Sequence, residues 1–251
     1  MLDTELVERY KADGFVGFHP FFSAKETVEL VERTECFIRD VVPSLPREQV
    51  FYEDKMDKTT LKQIQHVWRH DEWFRSLFLE GKVREVAEVL LRGEVVPKNL
   101  QYFNKPPSKN QPTPPHQDGY YFMLEPCEAL TFWLALDPAD EENGCVRYVK
   151  GSHQRGMREH GRTKVLGFSQ RIVDFPLSVD RASEVAIHAQ PGDLLAHDAL
   201  TIHRADSNRS GSKPRRALGF IYYSARAKEN REGHAHYQRT LARALERQGK
   251  I

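Results

Sequence analysis

The sequence predicts a mainly β protein with flanking helices, and three observations carry that fold class. Between residues 95 and 225, short apolar segments are separated by turns rich in Gly, Pro and Asn, the pattern of a double-sheet jelly roll or barrel. Before residue 94 and after residue 226, apolar residues recur at helical spacing instead. Within the β stretch, His116 and Asp118 stand two apart behind a proline-rich approach, and on an extended strand residues i and i+2 point to one face. A chain of 251 residues suits a single domain of this kind, with 1–94 as a mainly helical cover, 95–225 as the jelly-roll core and 226–251 as a C-terminal helix.

Taken in order, residues 3–12 predict a helix capped by Asp3 or Thr4 and stopped at Asp13-Gly14, followed by a short strand at 15–18. Ser23 and Glu26 form a capping box for a helix that runs to Val41, with Val28, Val31, Cys36 and Ile38 on its buried face. Residues 50–52 read as a strand, and 58–68 as either a helix or an extended segment. Successive helices are expected at 71–79 and 81–91, the second burying Val83, Val86, Ala87 and Leu90. His66 and His70 have a helical ligand spacing without the acidic partner of a zinc-protease motif, and read as surface or packing residues.

Strands are expected at 95–96, 100–103, 116–122, 130–136, 145–149, 184–189, 193–197, 200–203 and 217–224. Among the connections, 104–115 is too proline-rich for a regular element, 142–144 is a turn, and 161–174 is a polar loop and candidate lid. A terminal helix is expected over 229–249, with His234 and His236 in its solvated lead-in.

Composition narrows the function classes. Hydrophobic residues make up 39% and charged residues 29%, ordinary for a soluble globular chain. The net charge of +1, with cations dispersed among acids, leaves no footprint for nucleic acid or an anionic membrane surface. Cys36, Cys127 and Cys145 are too separated for a disulfide framework or a thiolate zinc cluster, which fits a reducing, cytoplasmic setting. Residues 1–10 lack the basic start and apolar run of a signal peptide, and no segment is long and apolar enough for a membrane span. The expected partner is a small molecule, and the expected assembly a monomer or homodimer.

His116 and Asp118 begin a metal site that needs a third ligand. His203, at the end of the apolar segment 200–203, would complete the two-histidine, one-carboxylate facial triad of non-haem Fe(II) oxygenases, which leaves positions open for a co-substrate and dioxygen. His197, six residues earlier, is its competitor, with His188 and His153 as outsiders. Arg215, followed by Arg216, precedes the last core strand. A guanidinium at the mouth of a barrel pairs bidentately with a carboxylate and keeps its charge, as anchoring a dicarboxylate requires. Gln101, Tyr102, Tyr120, Tyr121 and Phe122 lie around the expected mouth as candidate substrate contacts.

Four blocks carry a resemblance to a known family. They are Tyr10-Lys11-Ala12-Asp13-Gly14-Phe15; Asn104-Lys105-Pro106-Pro107 through His116-Gln117-Asp118; Trp133 through Glu142-Asn143-Gly144-Cys145 to Gly151-Ser152-His153; and Gly192-Asp193 through His203, Asn208 and Arg215. In this order the chain resembles the phytanoyl-CoA dioxygenase family of Fe(II)- and 2-oxoglutarate-dependent oxygenases. The resemblance implies a double-stranded β-helix, cupin-like core. It implies His116, Asp118 and His203 as iron ligands, Arg215 on the distal carboxylate of 2-oxoglutarate, and Trp133 and Asn104 lining the co-substrate pocket. The implied cofactors are Fe(II), 2-oxoglutarate and O2, and the implied reaction is hydroxylation of a small metabolite with decarboxylation of 2-oxoglutarate to succinate and CO2. Asp118 stands where halogenating relatives carry a small residue, which disfavours halogenation, while desaturation and cyclisation remain variants of the same oxidation.

The chain departs from the family pattern at Ala205, usually a serine that helps hold 2-oxoglutarate, at Arg204, usually glycine, and at Lys150, usually proline. Ser207 and Thr201 are candidate substitutes for the serine. Ala205 motivates an alternative, a non-catalytic or ligand-sensing descendant of the family. A zinc-dependent hydrolase or isomerase using the same three ligands would have no need of Arg215.

Overall fold

The computed structural model describes residues 3–107, 112–163, 165 and 169–247. Among them, two antiparallel sheets form a jelly roll with helices packed on one side. The larger sheet has seven strands, in the order Phe15–Phe18, Leu194–Asp198, Ala129–Ala135, Arg215–Ser224, Val95–Lys105, Leu61–Ile64 and Val50–Tyr52. The smaller has four, in the order Glu184–Ile187, Val146–Val149, His203–Ala205 and Thr113–His116. The N-terminal cover is therefore not only helical, because three of its segments extend the larger sheet. No described helix is long and apolar enough to cross a membrane.

Alternation along the strands sorts the large sheet onto two faces. Leu100, Tyr102, Phe132, Leu134, Leu218, Phe220 and Tyr222 face the helical layer and pack there with Leu30, Phe37, Phe74, Phe78, Val83 and Ala87. Their neighbours Gln101, Phe103, Lys105, Thr131, Trp133, His197 and Arg215 turn the other way and line a cavity between the sheets. A smaller apolar cluster, including Phe15, Trp133, Leu195, Val146 and Tyr148, joins the sheets at one end, with Phe15 stacked on Tyr148 at 4.6 Å between ring centroids.

The helix Ala24–Asp40 shows how local sequence and packing can disagree. Its capping box forms as the sequence predicts, with Ser23 N–H donating to Glu26 Oε2 at 2.7 Å and Glu26 N–H to Ser23 Oγ at 3.3 Å. Its buried face, however, is Thr27, Leu30, Thr34 and Phe37. Val28 is 57% exposed and Cys36 is exposed, while Val31 and Ile38 only flank the core. The two threonines enter the core because their hydroxyls donate to the carbonyls one turn back, Ser23 O at 2.8 Å and Leu30 O at 2.7 Å, so no polar atom is stranded. Gly14, at φ 82°, ends the preceding helix Thr4–Asp13 in the left-handed conformation that favours glycine.

Elsewhere the boundaries shift. Residues 58–68 resolve into 3-10 turns on either side of Leu61–Ile64, and the two strands expected at 95–96 and 100–103 are one, Val95–Lys105. Asn104, Lys105 and Thr113 to Pro115 are strand rather than loop, and residues 108–111 of that expected loop lie outside the described residues. Pro114 and Pro115 are tolerated because Thr113–His116 is an edge strand. The expected polar loop and candidate lid 161–174 contains paired strands, His160–Arg162 and Gln170–Ile172, and its residues 164 and 166–168 lie outside the described residues. The terminal helix is Arg231–Arg247, so His234 and His236 lie within it, not before it.

Candidate metal and co-substrate site

The edge strand ends at His116. Asp118 has helical backbone angles, φ −60° and ψ −34°, and leads into the single helical turn Gly119–Phe122, where the sequence predicts a strand. The pair therefore converges because the chain turns after His116, not because both residues sit on one pleated face. Gln117 holds that turn: its side chain donates to Gly156 O at 2.9 Å and Leu200 O at 2.7 Å, and its N–H donates to His160 Nε2 at 3.1 Å.

His203 opens its strand rather than ending it, and it is the cross-strand partner of His116. The two imidazole centroids lie 4.2 Å apart. Asp118 Oδ1 stands 3.5 Å from His116 Nε2 and 3.8 Å from His203 Nε2, and one ligand atom from each of the three residues falls within 4.8 Å of the others. The Nδ1 atoms face carbonyls, Pro114 O at 2.8 Å for His116 and Thr201 O at 3.1 Å for His203. An Nδ1–H donated to a carbonyl makes Nε2 the acceptor of the ring, and the two Nε2 atoms lie on the same side of Asp118 Oδ1.

The other carboxylate oxygen is held from behind. Thr131 donates its hydroxyl to Asp118 Oδ2 at 2.6 Å, and His197 Nε2 lies 3.2 Å from the same oxygen, with Tyr148 OH 3.0 Å from His197 Nδ1. The competitor His197 is thus placed to orient Asp118, and among the described residues only His116, Asp118 and His203 form a set that could hold a metal ion. Burial opposes charge on Asp118, but His203, His116 and His197 hold its carboxyl well below the usual carboxylate range. His203 is driven well below the ordinary imidazole range by burial and then by its histidine neighbours. A carboxylate beside a neutral imidazole is the protonation state that a divalent cation requires.

The cavity holding this cluster has a volume of about 660 Å³. Deep in its wall, Arg215 is 5% exposed, with its guanidinium carbon 5.3 Å from the Trp133 ring centroid. Its Nε has no hydrogen-bond partner, and no acid pairs with it among the described residues. Burial lowers its pKa to about 10, which leaves the guanidinium charged at neutral pH. An uncompensated buried cation is costly, so the wall is built to receive an anion. Lys105 is the cross-strand neighbour of Arg215, and burial, then Arg215 and Lys62, push it well below the usual lysine range. Asn104 donates Nδ2 to Leu61 O at 2.9 Å and leaves Oδ1 without a partner.

Of the residues singled out in the sequence, His116, Asp118, His203, Arg215, Trp133 and Asn104 all line this one cavity. Gln101, Tyr120, Tyr121 and Phe122 do so as well. Tyr102 does not: it is 2% exposed and lies in the helix-facing core, since one step along a strand reverses the face. Ala205 lines the cavity, but neither expected substitute does. Thr201 commits its hydroxyl to Gly14 O at 2.7 Å, and Ser207 lies off the lining. Thr113, the cross-strand partner of Ala205, is the hydroxyl residue that borders the cavity there.

His188 and His153 lie outside the lining, whereas His66 borders the cavity and His70 Nε2 meets Gln49 Oε1 at 2.8 Å. Sequence reasoning missed Thr131, Tyr148, Lys105 and Gln63. Strand parity with Trp133 and Gln101 would have found Thr131 and Lys105, whereas Gln63 sits in a segment with no clear period.

A jelly roll that brings two histidines and a carboxylate to one point, with a buried cation in the same cavity, has the layout of a metal-dependent oxygenase. The chain belongs to the phytanoyl-CoA dioxygenase (PhyH) family, whose model matches residues 10–217. It is 24% identical over 261 residues to phytanoyl-CoA dioxygenase domain-containing protein 1 of Mus musculus, covering 83% of this chain and 86% of that one. It is 27% identical to the peroxisomal phytanoyl-CoA dioxygenase of Rattus norvegicus over 66% of this chain, and spans only 50% of that relative. Among solved structures, it is similar to the non-heme alpha ketoglutarate dependent carbocyclase SnoK from nogalamycin biosynthesis, with a TM-score of 0.73, 25% identity, and coverage of 94% of this chain and 91% of that chain.

Proposed function

We propose that this chain is a single-domain Fe(II)- and 2-oxoglutarate-dependent oxygenase that hydroxylates a small-molecule metabolite. The observation that carries the reading is the presence, in one cavity, of the His116, Asp118 and His203 cluster and of Arg215, a buried guanidinium with no acidic partner among the described residues. In this reading His116, Asp118 and His203 hold the metal, while the Pro114 and Thr201 carbonyls set the two rings and Thr131 and His197 steady the carboxylate. Arg215 takes the distal carboxylate of 2-oxoglutarate through its planar fork, against the Trp133 ring. Asn104 and Thr113 supply polar atoms beside it, Thr113 replacing the hydroxyl that Ala205 lacks. Bound iron would supply the dioxygen chemistry that couples decarboxylation of 2-oxoglutarate, to succinate and CO2, with oxidation of the substrate.

Gln101, Tyr120, Tyr121 and Phe122 flank the remaining space and serve as substrate contacts. Asp118 supports hydroxylation over halogenation, and the likeness to a carbocyclase supports ring closure as a second outcome of the same oxidation. The free thiols Cys36, Cys127 and Cys145 support a cytoplasmic setting. Fe(II)-loaded protein given 2-oxoglutarate in air is expected to form succinate slowly without added substrate, and Asp118→Ala to form none. If wild type binds 2-oxoglutarate yet yields no succinate with or without a panel of candidate substrates, the ligand-sensing alternative gains over the enzyme.

A further inference from the structure

A second groove, of about 840 Å³, adjoins the active-site cavity between the edge strand Thr113–His116, the paired strands His160–Arg162 and Gln170–Ile172, and residues 173–181. Arg162, Thr163, Val165 and Arg204 border both spaces, so the two lie side by side. Charge in the groove is one-sided. Arg162, Arg171, Arg181 and Arg204 line it against a single carboxylate, Glu184. That carboxylate is already committed, because Arg204 donates to its two oxygens at 2.6 and 2.7 Å.

Three further acids around it are committed as well. Asp180 pairs with Arg155 at 3.2 Å and Arg158 at 2.6 Å, Asp174 pairs with Arg158 at 2.5 Å, and Asp206 is held by Arg147 at 2.7 Å and by Arg204. Arg162, Arg171 and Arg181 are left with no acidic partner among the described residues, on a surface where their arginine neighbours are paired. The groove also has apolar lining from Pro114, Pro115, Ile172 and Phe175. Guanidinium forks match phosphate, sulfate and carboxylate oxygens in pairs, and the apolar lining beside them offers contact to the carbon skeleton that bears the anion.

We propose that this groove is an anion subsite of the substrate: it takes a phosphate, sulfate or carboxylate borne by the molecule whose reacting carbon lies in the adjoining cavity. The assignment rests on the oxygenase reading only in taking the occupant as substrate. Arg171 and Arg181 are exposed, so replacing them leaves the fold and Arg215 untouched.

The test is calorimetry on the full chain loaded with Mn(II) and saturated with 2-oxoglutarate, titrated with inorganic phosphate and with hexyl phosphate, for wild type and for Arg171→Ser/Arg181→Ser. Hexyl phosphate is expected to bind about tenfold more tightly than phosphate, because its chain covers the apolar lining. The double substitution is expected to weaken hexyl phosphate by about tenfold, while 2-oxoglutarate affinity, measured separately, stays unchanged. Equal affinities for the two probes would assign the groove to a free anion and overturn the substrate assignment. Binding that survives the substitutions, or is undetectable in wild type, would overturn the site itself. A wild type that takes hexyl phosphate but not 2-oxoglutarate would contradict the oxygenase reading instead.

Discussion

The two faces of the large sheet are both largely buried but bury different kinds of group. Phe132 and Leu134 on one face are fully inaccessible, and Trp133 between them on the other is only 6% exposed. Burial alone therefore does not separate them. What differs is where unbonded polar atoms gather. On the helix-facing side Tyr222 donates its hydroxyl to Phe78 O at 2.8 Å. Among the described residues, Arg215 Nε, Asn104 Oδ1, Gln63 Oε1 and His66 Nδ1, all from residues lining the cavity, have no hydrogen-bond partner, while on the helix-facing side Tyr10 and Trp68 each leave one side-chain polar atom unbonded. Folded proteins leave few buried polar atoms unbonded, so the gathering of four around one cavity makes that face the candidate for a ligand. The helix-facing side of these strands carries apolar packing, and the cavity side carries most of their polar and ionisable groups.

Substitutions on each face should break that division in opposite ways. Asp118→Ala is expected to lower Mn(II) affinity by more than about 100-fold and to remove the rise in melting temperature that Mn(II) confers on wild type. Phe132→Ala should do the reverse: urea unfolding is expected to show a loss of about 3–5 kcal/mol, with 2-oxoglutarate affinity of the folded protein retained. If Phe132→Ala instead weakened the co-substrate as much as the fold, the two faces would not be separable. Tyr148→Phe removes only the hydroxyl that meets His197 Nδ1, and should weaken Mn(II) by about tenfold through the loosened Asp118 carboxylate.

The smallest expected effect is a change of slope. Burial, then Arg69 and His70, lower the His66 imidazole to about 4. The unfolded chain titrates this group near about 6.5 and so binds the proton more readily. The stability contributed by neutral His66 is therefore full above that pH and is lost as pH falls toward 4. His66 has φ 58°, a conformation asparagine tolerates, so His66→Asn is expected to flatten the fall in urea midpoint across this window. Identical slopes in the two proteins would place the pH dependence elsewhere.

Local rules carried much of this structure, and long-range packing carried the remainder. The Ser23 and Glu26 cap, the stop at Gly14 and the buried strand at Ala129–Ala135 follow from backbone chemistry and periodicity, and all are present. His116, Asp118 and His203 were legible as residue types whose chemistry fits together, but the reason they meet was not. A strand ending at His116, a turn at Asp118 and a cross-strand pairing with His203 are set by how the small sheet assembles. Tyr102 was misplaced because two aromatic or polar neighbours on a strand look alike until parity is fixed by a partner. His197 was visible as a histidine, yet its contacts with Asp118 and Tyr148 follow from packing and not from its spacing in the sequence.

The central claim is that the triad and Arg215 act together on one co-substrate. It is tested most directly by anaerobic calorimetry of 2-oxoglutarate binding to wild type and Arg215→Ala, each with and without Mn(II). The account predicts tight binding only to metal-loaded wild type, and its loss in Arg215→Ala even though Mn(II) still binds. Binding that needs no metal, or that Arg215→Ala leaves unchanged, would contradict it.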